Sequence, residues 1–249
     1  MPRNSDQLDP QYRIHTPANY VTFVRIALVP VWLILAELQM SFLGADANPF
    51  LAAKLHLDLG SLCWGCARDN TCAALDAYIR ALHAHPLAAI LAWSTFVLFC
   101  LLCLSDKLDG YLARSRNEVT VLGKFLDPIA DKILVIVALV FLLEYHATSS
   151  WTLLVIVGRE LLVSALRMLV ASEGKVVAAS NLGKAKTATT MAALCGYLVL
   201  PLISDCMLVE LVGSLSTILM ALAVVLTLIS GVDYVIKSWS VICHDTSES

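Results

Sequence analysis

Residues 105–132 read SDKLDGYLARSRNEVTVLGKFLDPIADK, and the reading of this stretch decides both fold and chemistry. It lies between two long apolar runs and holds Asp106, Asp109, Asp127 and Asp131. The first pair is three residues apart and the second four, spacings that put each pair on one face of a helix. Two helix ends joined by a short turn then point four carboxylates at one spot. Such a cluster persists only if cations neutralise it or some members hold protons. An all-oxygen set suits hard divalent ions such as Mg²⁺, Mn²⁺ or Ca²⁺, and two such ions form a clamp for phosphoryl transfer. Gly110 and Gly123 remove side chains near the cluster, so a bulky ligand can approach the backbone. Ala113 keeps the same face small, and Arg114 adds a fixed positive charge suited to phosphate.

The whole chain is 59% hydrophobic and 15% charged, against about 25% charged in a soluble domain. Its mean hydropathy is +0.77. This composition excludes an ordinary soluble enzyme and predicts an all-α, polytopic membrane protein. The net charge of −3 says little about partners, and no nucleic-acid partner is expected.

The hydropathy pattern predicts six transmembrane helices: 19–40, 86–105, 128–145, 151–170, 188–204 and 208–239. Residues 1–18 are polar and lack the apolar core of a signal peptide, so the first helix is expected to stay as an anchor. In that helix Asn19, Thr22 and Arg25 share one face. They look toward protein or water, or Arg25 snorkels to lipid headgroups. Pro30 is expected to kink the helix or to separate an N-terminal interfacial segment from the spanning one.

A long loop, 41–85, carries Cys63, Cys66 and Cys72. A disulfide within it, zinc and unpaired thiols all stay open, with zinc the least favoured because no second C-x2-C is present. Within it, 75–84 is expected to form a short surface helix. Pro128 is expected to open the third span, whose N-terminal dipole would then favour the carboxylates beside it. Arg159, Glu160 and Arg167 interrupt the fourth span. Charges at that depth are costly and read as functional, with an ion pair such as Arg159 with Glu160 as the structural alternative. Residues 171–187 form a basic loop with Lys175, Lys184 and Lys186, fit to anchor to lipid or to hold an anionic substrate. Cys195 and Cys206 are expected to pack, and Gly213 and Gly231 mark close helix contacts.

Lys and Arg concentrate in the loops of one side. The positive-inside rule therefore puts both termini, the aspartates and the basic loop in the cytoplasm of a multi-pass cell-membrane protein. The expected organisation is a cytoplasmic segment 1–18, a six-helix catalytic domain 19–239 with loop 41–85 inserted on the far side, and a flexible tail 240–249.

The aspartate stretch reads D-x2-D-G-x2-A-R-x8-G-x3-D-x3-D with every fixed position filled. Solvated acidic residues in a loop would not be expected to fill a pattern this long. The pattern resembles the signature of the CDP-alcohol phosphatidyltransferase family of integral-membrane enzymes. The resemblance runs over most of the chain from Asn19 and implies a metal-dependent attack by an alcohol on CDP-diacylglycerol, with CMP leaving. It implies that Asp106, Asp109 and Asp127, with Asp131 contributing, hold two Mg²⁺ or Mn²⁺ ions. Asp131 would be the general base. Asn19, Thr22, Asp109, Gly110, Ala113, Arg114 and Gly123 would place the cytidine diphosphate group.

Three more stretches, NYVTFVRIALVP, GRELLVSALR and SNLGKAKTATTM, look like bacterial phosphatidylglycerophosphate synthases. That likeness implies sn-glycerol 3-phosphate as acceptor, its phosphate held by Arg159, Lys184 and Lys186. Relatives that make cardiolipin or phosphatidylinositol phosphate share the aspartates, so those acceptors stay open. The resemblance also implies a homodimer among membrane lipids. A cation transporter is the competing class, since membrane carboxylates also mark ion pathways. Against it, no second acidic set lies mid-membrane and no broken-helix repeat is visible.

Overall fold

The structure, a computed structural model, describes residues 17–43, 48, 50, 76–116, 121–172 and 181–243. Within these, 17–19, 21, 106–116, 121–131, 171–172, 181 and 239–243 are described as backbone alone. Six long helices coincide with the six apolar stretches: α1 (Pro17–Leu43), α3 (Pro86–Arg116), α4 (Val121–Glu144), α5 (Ser150–Ser172), α6 (Asn181–Val199) and α7 (Cys206–Cys243). A short α2 covers 76–84, and there is no strand among the described residues.

The shortest long helix, α6, has 19 residues, about 29 Å at 1.5 Å per residue, close to the ~30 Å of a bilayer core. Four segments are apolar enough to cross on length and composition alone: Thr22–Leu43, Pro86–Ser105, Leu182–Leu202 and Cys206–Ser238. With 24 and 23 residues, α4 and α5 have the length. Their sequences carry Asp127, Asp131 and Lys132, and Arg159, Glu160 and Arg167.

The helices turn large apolar side chains outward. On α3 the exposed row is Leu87, Ile90, Trp93, Val97, Leu101 and Leu104, three and four residues apart. In water such rows would drive association, whereas lipid tails are as apolar as leucine and leave them satisfied. The chain is an all-α membrane protein.

The chain divides into two compact units, Met1–Ala45 with Arg80–Ala138, and Asp46–Ile79 with Leu139–Ser249. In the first, α1 packs antiparallel on α3. Trp32, fully buried, donates its indole N–H to the Thr95 carbonyl at 3.0 Å and lies 5.7 Å from the Phe99 ring. Phe42 meets His85 at the other end of the seam. Helix α1 runs unbroken through Pro30, so Pro30 does not separate an interfacial segment from the spanning one. A membrane helix tolerates the missing N–H because neighbouring groups re-satisfy the freed carbonyl.

In the second unit, α6 and α7 pack antiparallel. The Tyr197 and Thr217 hydroxyls lie 3.0 Å apart, and a Cβ added at Gly196 would sit 3.2 Å from Ser216 Cβ. Small residues let these backbones approach.

Helix α4 ends in a paired-bond cap. His146 adopts φ 60°, its N–H bonds the Leu143 carbonyl at 3.1 Å, and the Ala147 N–H bonds the Leu142 carbonyl at 2.8 Å. This is the Schellman arrangement with histidine at the position glycine usually takes. Helix α7 is capped by Asp205, which accepts from the Leu208 N–H at 3.0 Å.

The described ends of the long loop dock in this unit. Asn48 donates to the Tyr145 carbonyl at 3.0 Å, and Phe50 meets Phe141 edge-on. Tyr78 donates its hydroxyl to the Pro201 carbonyl at 2.6 Å. The expected surface helix near 75–84 thus exists, but Tyr78 anchors it inward with no exposed surface. Burial pushes the Tyr78 phenol well above its ordinary pKa.

Cys63, Cys66 and Cys72 lie outside the described residues. Cys206 is disulfide-bonded, so the expectation that it merely packs is corrected, whereas Cys195 keeps its thiol.

Candidate active site

In the first unit the four aspartates sit on two helices separated by residues 117–120 alone. Asp106 and Asp109 lie in the C-terminal part of α3, and Asp127 and Asp131 in the N-terminal half of α4. The expected connection falls on residues 117–120, which lie outside the described residues. Gly110 and Ala113 each stand four residues after one of the α3 aspartates, and Gly123 stands four residues before Asp127. Each therefore shares a helical face with its aspartate. The side chains of 106–131, Arg114 among them, lie outside the described residues, as does that of Asn19.

One expectation changes. Helix α4 begins at Val121, so Pro128 lies inside it rather than opening it. Asp127 is beyond the first turn, where the helix dipole has largely faded, so the dipole is not the counter-charge for this pair. In the first turns VLGKFL, Leu122, Lys124 and Leu126 are good helix formers and carry the helix back past the proline.

Thr22 and Arg25, on α1, are 1% and 3% exposed. The alternative in which Arg25 snorkels to headgroups is thereby excluded. Its Nε donates to Ser105 Oγ at 3.2 Å, one residue before Asp106.

In the second unit a separate charged cluster joins α5 and α6. Glu160 accepts from Arg159 Nη1 at 2.9 Å and forms an ion pair with Lys186 Nζ. Lys186 is buried, 5% exposed, and is held in the second turn of α6 rather than in a loop. Lys184 is two residues earlier, hence on nearly the opposite side of the helix, and is exposed. The structure brings Arg159 and Lys186 together on one carboxylate and turns Lys184 away from them.

The α5–α7 seam has the close helix contact expected at Gly231 and adds Tyr234 and Ser238, which the sequence reading missed. A Cβ added at Gly231 would lie 3.1 Å from Arg159 Cγ, so glycine lets this arginine lie against α7. Arg167 stands 6.0 Å from the Tyr234 ring centroid. Arg159 Nε, Tyr234 Oη and Ser238 Oγ are buried and find no hydrogen-bond partner among the described residues. Each of the three can donate a hydrogen bond. Gly231, Tyr234 and Ser238 recur at three and four residues, a helical periodicity that signals one face but not which helix it meets.

A sequence profile of the CDP-alcohol phosphatidyltransferase family matches residues 74–229. The match takes in the aspartate stretch and α3 to α6 and leaves α1 outside it, a narrower span than the sequence reading gave. Among curated proteins, the CDP-diacylglycerol–glycerol-3-phosphate 3-phosphatidyltransferase of Bacillus subtilis is 40% identical over 146 residues, covering 57% of this chain and 72% of that one. The protein of the same name from Shigella flexneri is 43% identical over 150 residues, covering 57% and 78%. That of Escherichia coli K12 is 44% identical over 110 residues, covering 41% and 60%.

Proposed function

Because the chain belongs to the CDP-alcohol phosphatidyltransferase family, we propose that it transfers the phosphatidyl group of CDP-diacylglycerol to sn-glycerol 3-phosphate. The products are phosphatidylglycerophosphate and CMP. The observation that carries this reading is the filled motif on two helix segments separated by four residues. The names of the similar curated proteins supply the acceptor.

Asp106, Asp109 and Asp127, with a contribution from Asp131, would hold two Mg²⁺ or Mn²⁺ ions. Their donor chemistry fits, since carboxylates at i, i+3 and i, i+4 are hard oxygen ligands on common faces. When bound, the metal supplies charge neutralisation on the pyrophosphate. Asp131 takes the proton of the acceptor hydroxyl as its oxygen bonds the phosphatidyl phosphorus. The bond from that phosphorus to the CMP oxygen breaks, and CMP leaves with the electron pair. Asn19, Thr22, Asp109, Gly110, Ala113, Arg114 and Gly123 place the cytidine diphosphate.

Arg159 and Lys186 receive the acceptor phosphate, with Glu160 holding both in register and Tyr234 and Ser238 offering further donors. Lys184, facing away, draws the anion toward the membrane edge. We take 19–239 as one six-span catalytic domain flanked by 1–18 and 240–249, homodimeric in the cell membrane. Both termini and the aspartates face the cytoplasm, and loop 41–85 lies on the far side.

The test is an acceptor panel on purified protein with Mn²⁺, following CMP release from CDP-diacylglycerol. Glycerol 3-phosphate, inositol phosphate, phosphatidylglycerol and serine are offered singly. Release that requires glycerol 3-phosphate is the expected result. Release with another acceptor keeps the chemistry and replaces the substrate. No release with any acceptor turns the reading toward a transporter.

A further inference from the structure

Arg25 is a buried cation that the reaction as described leaves without a task. The inward face of α1 is apolar from Val29 through Trp32 and Ala36 to Met40, and polar at Thr22 and Arg25. The polar end of this seam coincides with the end of the apolar run of α3. There Ser105 accepts from Arg25 Nε at 3.2 Å and donates to the Leu102 carbonyl at 2.8 Å. Ser105 immediately precedes Asp106 and stands four residues before Asp109, on its face. A guanidinium with 3% of its residue surface exposed, in a seam between membrane helices, is expensive to bury. An apolar side chain would continue the packing of Val29 and Trp32 without that cost. The arginine's planar fork does what an apolar residue cannot, fixing the rotation of a neighbouring helix through a directed hydrogen bond.

We propose that Arg25 is a positioning residue for the aspartate-bearing turn of α3, acting through Ser105. It sets the rotation of α3 where Asp106 and Asp109 leave the apolar seam, and it places a permanent positive charge one residue from the first of them along the helix. The kinetic part of this inference rests on the proposed function; the metal-binding part does not.

Two conservative variants test it. Ser105→Ala removes only the accepting hydroxyl, and Arg25→Lys keeps the charge but loses the fork. Mn²⁺ affinity is titrated by electron paramagnetic resonance on purified protein without nucleotide, alongside both KM values and the thermal midpoint. A hydrogen bond to a charged group typically carries about a tenfold effect. Both variants should therefore weaken Mn²⁺ binding and raise the KM for CDP-diacylglycerol by about that factor. The KM for glycerol 3-phosphate should stay at its wild-type value. Wild-type Mn²⁺ affinity and wild-type donor KM in both variants would overturn the proposal, as would a fall in thermal midpoint alone. A shift in Mn²⁺ affinity in a protein whose wild type releases no CMP would support this positioning role while removing the proposed reaction.

Discussion

At the scale of single residues, Glu160 holds together what the sequence offered as two separate hints. Arg159 and Lys186 are 27 residues apart, and both pair with its carboxylate. Removing one partner of a buried pair strands the other charge, at about 3–5 kcal/mol, whereas removing both is often near neutral. Glu160 keeps 19% of its side-chain surface and Lys186 6%, which points to the lower end of that range. Glu160→Gln should thus destabilise by about 3 kcal/mol. Glu160→Gln combined with Lys186→Met should recover most of the loss in chemical unfolding of the detergent-solubilised protein. Equal losses in the single and double variants would mean that the pair is not coupled. The charged residues of α5 announced themselves in the sequence because a membrane helix does not carry such groups idly. Which of Lys184 and Lys186 faces inward was not legible. It depends on where α6 starts, and nothing in SNLGKAKT marks that start within two residues.

At the scale of elements, the positions of the helices were readable because apolar runs of bilayer length have few alternatives. Their ends were not. Proline at 128 looked like a helix start because it suits a first turn, yet α4 begins at Val121, and tertiary context overrides that local preference. Contacts between helices depend on depth and rotation, which composition does not encode. Gly196 illustrates this: a glycine in an apolar run reads as a weak point, and only the packed pair shows that Ser216 fills its space. Gly196→Ala should force α6 and α7 apart and cost about 1–3 kcal/mol, as overpacking typically does. Adding Ser216→Ala should restore part of that stability. The thermal midpoints of the two variants decide it, and an unchanged midpoint in Gly196→Ala would show that the helices yield freely.

At the scale of the whole molecule, the acidic motif on α3 and α4 belongs to one compact unit and the cationic cluster on α5 and α6 to the other. The motif was fully legible, since its eight fixed positions sit at fixed spacing. The donors at Tyr234 and Ser238 were not, because an isolated tyrosine and serine near the end of an apolar helix look like interfacial anchors. On the six-span topology proposed above, the α4–α5 turn and residues 203–205 would lie on the side opposite both termini. A single cysteine introduced at Ser149 in a background lacking the native cysteines should react with a membrane-impermeant maleimide in intact cells. One introduced at Ser247 should react only after the cells are opened. The reverse pattern would invert the topology. The central claim is that Asp131 is the base in a transfer to glycerol 3-phosphate. The most direct test is a single-turnover measurement of CMP release by wild type and Asp131→Asn, with CDP-diacylglycerol, glycerol 3-phosphate and saturating Mn²⁺. General-base removal costs about 10²–10⁴-fold, so the variant should lose at least that order in rate, with CDP-diacylglycerol still bound. A variant that turns over within a few-fold of wild type would contradict it.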